Sequence, residues 1–181
     1  MIGGKIILLD KQVFIINGSG GVGKDTFVEL VSTELNDNLK KFHTVVNFSS
    51  VDKVKEIARE IGWDGKKEER DRKFLSDLKI LTSKYCDMSF KSMKEEVNKF
   101  KNNNENQVIF LHIREPKEIE RAVKEFNAKT ILVVRDTIKH ITSNMADQNV
   151  FNYNYDFVIN NDGTKSELNS KAKKFVEEVI L

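Results

Sequence analysis

The chain has 181 residues, of which 39% are hydrophobic and 32% are charged, and its formal net charge is +2 at pH 7. This length predicts one domain with a hydrophobic core, and the small net charge gives no electrostatic reason to expect nucleic acid or a membrane as a partner. The single cysteine, Cys86, excludes an intramolecular disulfide, and no apolar run approaches the roughly 20 residues of a membrane span. We therefore expect a cytoplasmic protein.

Short apolar runs alternate with amphipathic segments along the chain. A first run at residues 6–9 is too short for a usual signal sequence and predicts at most an edge strand or hairpin. Five further runs predict strands buried on both faces, at residues 13–16, 45–48, 108–113, 130–134 and 157–159. Apolar residues spaced three to four apart predict helices at residues 27–35, 51–61, 75–85, 119–126 and 168–179. This alternation predicts an α/β protein with a parallel sheet and helices on both sides.

A glycine-rich run follows the strand at residues 13–16 and leads into the first helix. Four of the nine glycines lie in this run, which reads Gly18-Ser19-Gly20-Gly21-Val22-Gly23-Lys24-Asp25-Thr26. The spacing G-x-x-x-x-G-K between a strand and a helix is typical of a phosphate-binding loop, in which backbone N–H groups and the helix N-terminus surround an anion. Lys24 is then expected to contact the β- and γ-phosphates.

The residues after this lysine depart from the common motif. Asp25 stands where Ser or Thr is usual, and Thr26 comes one place late. Mg²⁺ prefers oxygen ligands, so Asp25 is the expected ligand, directly or through water, with Thr26 as the alternative. His112 ends the third strand, where most P-loop proteins have Asp, and a neutral imidazole bonded to the backbone is one interpretation. We therefore expect the phosphates and Asp25 to hold the metal, or the metal site to be impaired.

The ending Gly23-Lys24-Asp25-Thr26 resembles that of bacteriophage deoxynucleoside monophosphate kinases and of animal-type phosphomevalonate kinases. Segments 48–56, 112–116 and 155–164 resemble later segments of the same families, in the same order. The resemblance implies a three-layer P-loop kinase fold over residues 1–181, with a five-stranded parallel sheet flanked by helices and a mobile lid. It also implies ATP and Mg²⁺ as cofactors and a nucleoside monophosphate as the phosphate acceptor.

A second cation is predicted beyond the third strand. Arg114 follows that strand, at the edge where open α/β sheets bind ligands. The resemblance implies that Arg114 contacts the acceptor phosphate. An ion pair with Glu115 or Glu118 is the simpler alternative, because exposed pairs are common.

The connection after the fourth strand is unusually long. Residues 136–155 show little apolar periodicity, which predicts a lid that closes over the reacting phosphates, with an ordinary surface loop as the alternative. Arg135 opens this segment, where it would reach the transferring phosphate or pair with a neighbouring aspartate. The lid has no arginine, only Lys139 and His140, whereas adenylate-type kinases usually carry several.

The segment between the second and third strands is expected to bind the acceptor. Residues 66–73 hold five cations and three anions and form either an acceptor-binding arm or a solvated helix face. On the first interpretation Arg72 contacts the acceptor, together with Lys55 on the preceding helix. Trp63 and Phe90 would stack on a base or belong to the core.

The turn before the last helix has two interpretations. The resemblance implies that Asn161 and Gly163 lie against the adenine of ATP. A plain helix N-terminus, with Thr164 as cap and Glu167 as its capping-box partner, explains the same residues.

Together these features predict an ATP-dependent kinase that converts a (deoxy)nucleoside monophosphate to the diphosphate. Phosphomevalonate or dephospho-coenzyme A is the alternative type of acceptor. A protein that binds nucleotide without turnover is the alternative from another class, favoured by the missing carboxylate at His112 and by the lid without arginine. The kinase-like length without an appended interaction domain favours an enzyme.

Overall fold

The computed structural model describes residues 10–41, 44–66, 68–136 and 150–181. The run at residues 6–9 and most of the lid segment, including Lys139 and His140, lie outside the described residues. Among the described helices, none has the length and apolar character that crossing a bilayer requires.

Five strands of the described chain form one parallel sheet. They are β1 (Gln12–Asn17), β2 (Val45–Ser49), β3 (Val108–His112), β4 (Lys129–Val134) and β5 (Phe157–Asn160). Their order across the sheet is β2-β3-β1-β4-β5, and every pairing is parallel. All five predicted strands are confirmed, with ends that differ by one residue at most.

The helices of the described chain pack on both sides of this sheet. They are α1 (Lys24–Leu39), α2 (Asp52–Glu60), α3 (Glu69–Cys86), α4 (Met88–Asn102), α5 (Pro116–Phe126) and α6 (Lys165–Phe175), which continues as a π-helical turn, Val176–Ile180. Pro116 begins α5, where its missing N–H leaves no hydrogen bond unmade. The predicted capping box of Thr164 and Glu167 begins α6, so that interpretation is confirmed.

The central strand supplies both halves of the core. Because side chains alternate along a strand, Phe14 and Ile16 face α1 and α6, whereas Val13 and Ile15 face α4 and α5. Two apolar clusters therefore lie on opposite sides of one sheet. The predicted three-layer α/β class is confirmed.

The prediction that every strand is buried on both faces is wrong for the two edges of the sheet. No residue of β2 is fully buried, and the side chain of Val158 in β5 is 61% exposed. An edge strand lies at the margin of the sheet, where the helices that pack on the sheet faces cover its side chains less completely.

The segment between β2 and β3 differs most from its prediction. The helix predicted here is confirmed, but its apolar face is covered only in part. Leu75 and Leu78 are half-buried, whereas Leu81 and Tyr85 are 65% and 89% exposed. Helix α4 was not predicted, although its buried face is regular, with Phe90, Met93, Val97 and Phe100. Phe90 stacks on Phe126 with 5.6 Å between ring centroids, so it belongs to the core and does not stack on a base.

Candidate active site

The glycine-rich run forms a tight loop between β1 and α1. Gly18, Gly21 and Gly23 have φ angles of 147°, 83° and 96°, which L side chains rarely adopt. A Cβ on Gly18 would lie 2.4 Å from the carbonyl oxygen of Val133, and one on Gly23 would lie 2.4 Å from Nδ2 of Asn161. The loop therefore needs glycine at both ends, for conformation and for space.

Lys24, the first residue of α1, lies across the mouth of this loop. Its Nζ donates hydrogen bonds to the carbonyl oxygens of Gly18 (2.6 Å) and Ser19 (2.9 Å). The buried hydroxyl of Ser19 has no hydrogen-bond partner among the described residues. A curled backbone, a lysine and an orphaned buried hydroxyl fit the oxygens of a nucleotide phosphate. These contacts support the predicted phosphate loop, and the residues present fit ATP.

Asn17, at the end of β1, joins the loop to two other segments. Its Oδ1 accepts from the N–H of Gly18 (2.8 Å), and its Nδ2 donates to the carbonyl of Arg114 (3.2 Å) and to the hydroxyl of Tyr155 (2.7 Å). The Tyr155 O–H donates to the carbonyl of Val150 (2.7 Å), and burial raises the pKa of Tyr155 to about 12, so it stays protonated at neutral pH. The amide of Asn17 thus fixes the start of the loop relative to Arg114. Sequence reasoning missed this residue.

The turn after β5 supports the loop from the opposite side. Nδ2 of Asn161 donates to the carbonyl of Val22 (2.8 Å), and the backbone N–H of Asn161 donates to Val134 (2.8 Å). Gly163 lies against the capping carboxylate of Glu167, where a Cβ would come within 2.1 Å of Oε2. The contact of Asn161 with the loop backbone is structural, and its role toward the donor base stays a prediction.

The expected metal ligands lie beside the loop at the start of α1. The Asp25 side chain is 81% exposed, and its Oδ1 is 3.7 Å from Nε2 of His112. Nε2 of His112 is also 2.7 Å from Oδ1 of Asn47, so the imidazole bonds to a side chain, and the expected bond to the backbone is not found among the described residues. Burial lowers the pKa of His112 to about 4, which keeps it neutral at neutral pH. An exposed carboxylate next to the phosphate loop, with Thr26 adjacent, fits a hard cation such as Mg²⁺.

A cleft of about 570 Å³ opens at the carboxyl edge of the sheet, between the phosphate loop and the helices α2 and α3. It brings together seven of the predicted site residues, namely Gly20, Gly21, Lys24, Asp25, Lys55, Arg72 and Arg114. Apolar side chains, Trp63 and Leu75 among them, line the same cleft. Eight described residues that were predicted for the site lie outside this lining, namely Gly18, Ser19, Val22, Gly23, Thr26, Arg135, Asn161 and Gly163.

Asp52, a residue that sequence reasoning missed, holds one of the cations in place. Its Oδ2 accepts from the N–H of Ser49 (2.8 Å), and its Oδ1 lies 3.0 Å from Nζ of Lys55. The Ser49 contact ties the first turn of α2 to the end of β2. Lys55, one turn further along, is therefore held at the cleft.

Lys79 of α3 forms an ion cluster at the edge of the cleft. Its Nζ lies 2.8 Å from Oε2 of both Glu115 and Glu118, and 3.4 Å from Oγ of Ser50. Burial alone would lower the pKa of Lys79, but the two carboxylates raise it above its ordinary value. Burial raises the pKa of Glu118 to about 7. Both carboxylates considered as partners of Arg114 thus bind Lys79, a residue that sequence reasoning missed.

The strand order 2-3-1-4-5, with a glycine loop between the central strand and α1, defines a P-loop fold. Comparison with protein-family models and with curated proteins found no match.

Among solved structures, the chain is similar to an APS kinase from Mycobacterium tuberculosis, with 10% identity over 94% of this chain and 99% of that one and a TM-score of 0.48. It is similar to a shikimate kinase from Aquifex aeolicus, with 12% identity over 92% and 96% and a TM-score of 0.47. A putative kinase from Chloroflexus aurantiacus gives 10% identity over 94% and 98% and a TM-score of 0.49. Similarity at this level does not identify the reaction.

Proposed function

We propose that residues 1–181 form a kinase domain that transfers the γ-phosphate of ATP to a small phosphorylated acceptor, most simply a (deoxy)nucleoside monophosphate. One observation carries the proposal: a single cleft joins the lysine of the phosphate loop to five further cations, among them Lys55, Arg72 and Arg114. A phosphate donor and a phosphorylated acceptor need positive charge on both sides of the reacting phosphorus.

On the donor side, the N–H groups of the loop and Lys24 bind the β- and γ-phosphates. Asp25 and Thr26 are the residues that would hold Mg²⁺, which supplies charge neutralisation to the phosphate oxygens when it is bound. His112 adds no positive charge beside them, because it stays neutral.

On the acceptor side, Lys55, Arg72 and Arg114 bind the acceptor's phosphate. An oxygen of that phosphate attacks the γ-phosphorus, and the bond to the leaving oxygen of ADP breaks in line. Trp63 and Leu75 line the cleft beside these cations, and they supply an apolar surface for a flat nucleobase. The protein contributes position and charge rather than a covalent intermediate.

Two alternatives remain beside a nucleoside monophosphate. The same cations suit another phosphorylated acceptor, such as phosphomevalonate or dephospho-coenzyme A. A nucleotide-binding protein without turnover is favoured by one observation, the neutral His112 at the end of β3.

Release of ADP, measured with each common (deoxy)nucleoside monophosphate and with the two other acceptors, tests the proposal. We expect turnover with at least one nucleoside monophosphate and background rates without an acceptor. Turnover with phosphomevalonate or dephospho-coenzyme A alone would show that the acceptor is not a nucleoside monophosphate. ATP binding in calorimetry with no turnover on any acceptor would favour the non-catalytic alternative.

Arg114→Ala is expected to weaken binding of the acceptor more than binding of ATP. A hydrogen bond to a charged group is worth roughly 1.5–3 kcal/mol, so we expect the acceptor's KM to rise about 10- to 100-fold. Steady-state kinetics with each substrate varied in turn measure the KM of the acceptor and the KM of ATP separately. Lys117→Ala, an exposed cation on α5, is the matched control and leaves both constants unchanged. A rise in the KM of ATP alone would show that Arg114 belongs to the donor half of the site.

Asp25→Asn is expected to make ATP binding less dependent on Mg²⁺ and to lower turnover. A carboxylate beside a triphosphate repels it unless a divalent cation lies between them. Calorimetric titration of ATP with and without Mg²⁺ checks this, with Asp37→Asn, an exposed aspartate further along α1, as control. An equal Mg²⁺ effect in wild type and Asp25→Asn would leave Asp25 as a structural residue at the helix N-terminus.

A further inference from the structure

Helix α3 forms part of the cleft wall, although hydrophobic packing does little to fix its position. No residue of α3 is fully buried, and several of its apolar side chains face solvent. Arg72, Leu75, Ser76 and Lys79 nevertheless all line the cleft. The last three follow Arg72 by three, four and seven residues, so all four share one face of the helix. Polar contacts are therefore expected to contribute to holding this face toward the sheet.

The ion cluster of Lys79 supplies one such contact, in the middle of the helix. The Lys79 side chain is only 12% exposed, whereas the helix around it is exposed or half-buried. Its partners come from two other segments at the carboxyl edge of the sheet. Ser50 follows β2, and Glu115 and Glu118 lie at the start of α5. Both glutamates stand where the dipole of α5 favours negative charge. Lys79 therefore links α3 to the edge of the sheet.

The same contacts argue against Lys79 as a ligand of the acceptor. An ammonium group has three N–H donors, and the three oxygens around Nζ occupy them. The positive charge also lies 2.8 Å from a carboxyl oxygen of each glutamate. Lys79 lines the cleft, but its donors are directed into the protein.

We propose that Lys79 is a positioning residue, which anchors α3 through Glu115 and Glu118 and so sets the place of Arg72 and Leu75 in the acceptor half of the cleft. This inference rests on the proposed function. A buried ion pair adds little net stability compared with apolar packing, but it tolerates few geometries. The anchor therefore fixes the rotation and position of α3 more than it stabilises the fold.

Amide hydrogen exchange and kinetics test the anchor together. Lys79→Met alone leaves the Glu115 carboxylate beside Glu118 without its counter-charge. We therefore add Lys79→Met with Glu118→Gln, in which the second side chain is always neutral. Lys84→Met, an exposed lysine on the same helix, is the matched control, and Lys79→Arg keeps the charge. Wild type and all four variants are compared by exchange in residues 69–86 and by KM for acceptor and ATP.

We expect exchange in α3 to rise about 10-fold in both Met variants at Lys79, with wild-type exchange in Lys84→Met and partial protection in Lys79→Arg. The acceptor's KM should rise about 10-fold while the KM of ATP stays within about twofold. Unchanged exchange in the folded double variant would overturn the anchor. Raised exchange with an unchanged acceptor KM, or an equal rise in both constants, would overturn the positioning role. Absence of turnover in wild type with every acceptor would instead refute the proposed function, and the exchange result would still decide the anchor.

Discussion

Lys24→Ala is expected to lower phosphoryl transfer by at least about 10²-fold while the protein stays folded. The loss of one preorganised charge beside a transferring phosphate costs on the order of 10²–10³ in rate. Nζ of Lys24 contacts the carbonyls of Gly18 and Ser19 at the loop and is not part of either apolar cluster, so its removal should spare the core. ADP release measures the effect, and a thermal melt by circular dichroism verifies the fold.

Lys129→Ala is the matched control for this prediction. Lys129 is exposed at the first residue of β4, at the opposite edge of the sheet, and its replacement makes the same change of net charge. Wild-type turnover is expected in the control. If folded Lys24→Ala also turned over at the wild-type rate, the phosphate-loop assignment would be wrong.

Gly23→Ala is expected to abolish ATP binding and to destabilise the fold. The new Cβ would come 2.4 Å from Nδ2 of Asn161, in a backbone conformation with φ of 96°. Left-handed backbone costs a non-glycine residue roughly 1–2 kcal/mol, and the steric contact adds to it by displacing the loop or Asn161. Calorimetric titration of ATP and denaturant unfolding measure the two effects.

Gly62→Ala separates backbone strain from the steric contact. Gly62 has a similar φ of 103°, but nothing lies within 4 Å of the added Cβ. This control should lose only the stability that strain costs and should bind ATP normally. Asn161→Ala combined with Gly23→Ala removes the contacting amide and should recover part of the stability. Equal losses in Gly23→Ala and Gly62→Ala would show that the close approach of Asn161 is unimportant.

The fold was largely predictable because its signals are local. Each strand is a short apolar run, and the glycine loop is a continuous motif. Helical periodicity reports that a face is apolar, but it does not report whether that face is covered. This is why Leu81 and Tyr85 of α3 were wrongly expected to pack. The spacing of Phe90, Met93 and Val97 did carry a helix signal, and it was overlooked.

The site was less predictable because its supporting contacts join distant parts of the chain. Asn17 and Tyr155 are separated by 138 residues, and Lys79 and Glu115 by 36. Neither pair forms a sequence motif. Cations placed by strand ends or by the loop motif, such as Lys24 and Arg114, were located because topology alone brings them to one edge.

The two walls of the cleft come from different parts of the chain, and this separation affects how such a protein can diversify. Hydrogen bonds with Asn17 and Asn161 brace the phosphate loop, and both residues lie outside the stretch from Asn47 to Lys79 that supplies most of the opposite wall. Substitutions confined to that one stretch can therefore reshape the wall while the braces of the loop stay intact. For the proposed reaction, acceptor preference can diverge through changes in one contiguous part of the gene, while the residues proposed to bind the donor phosphates stay unchanged.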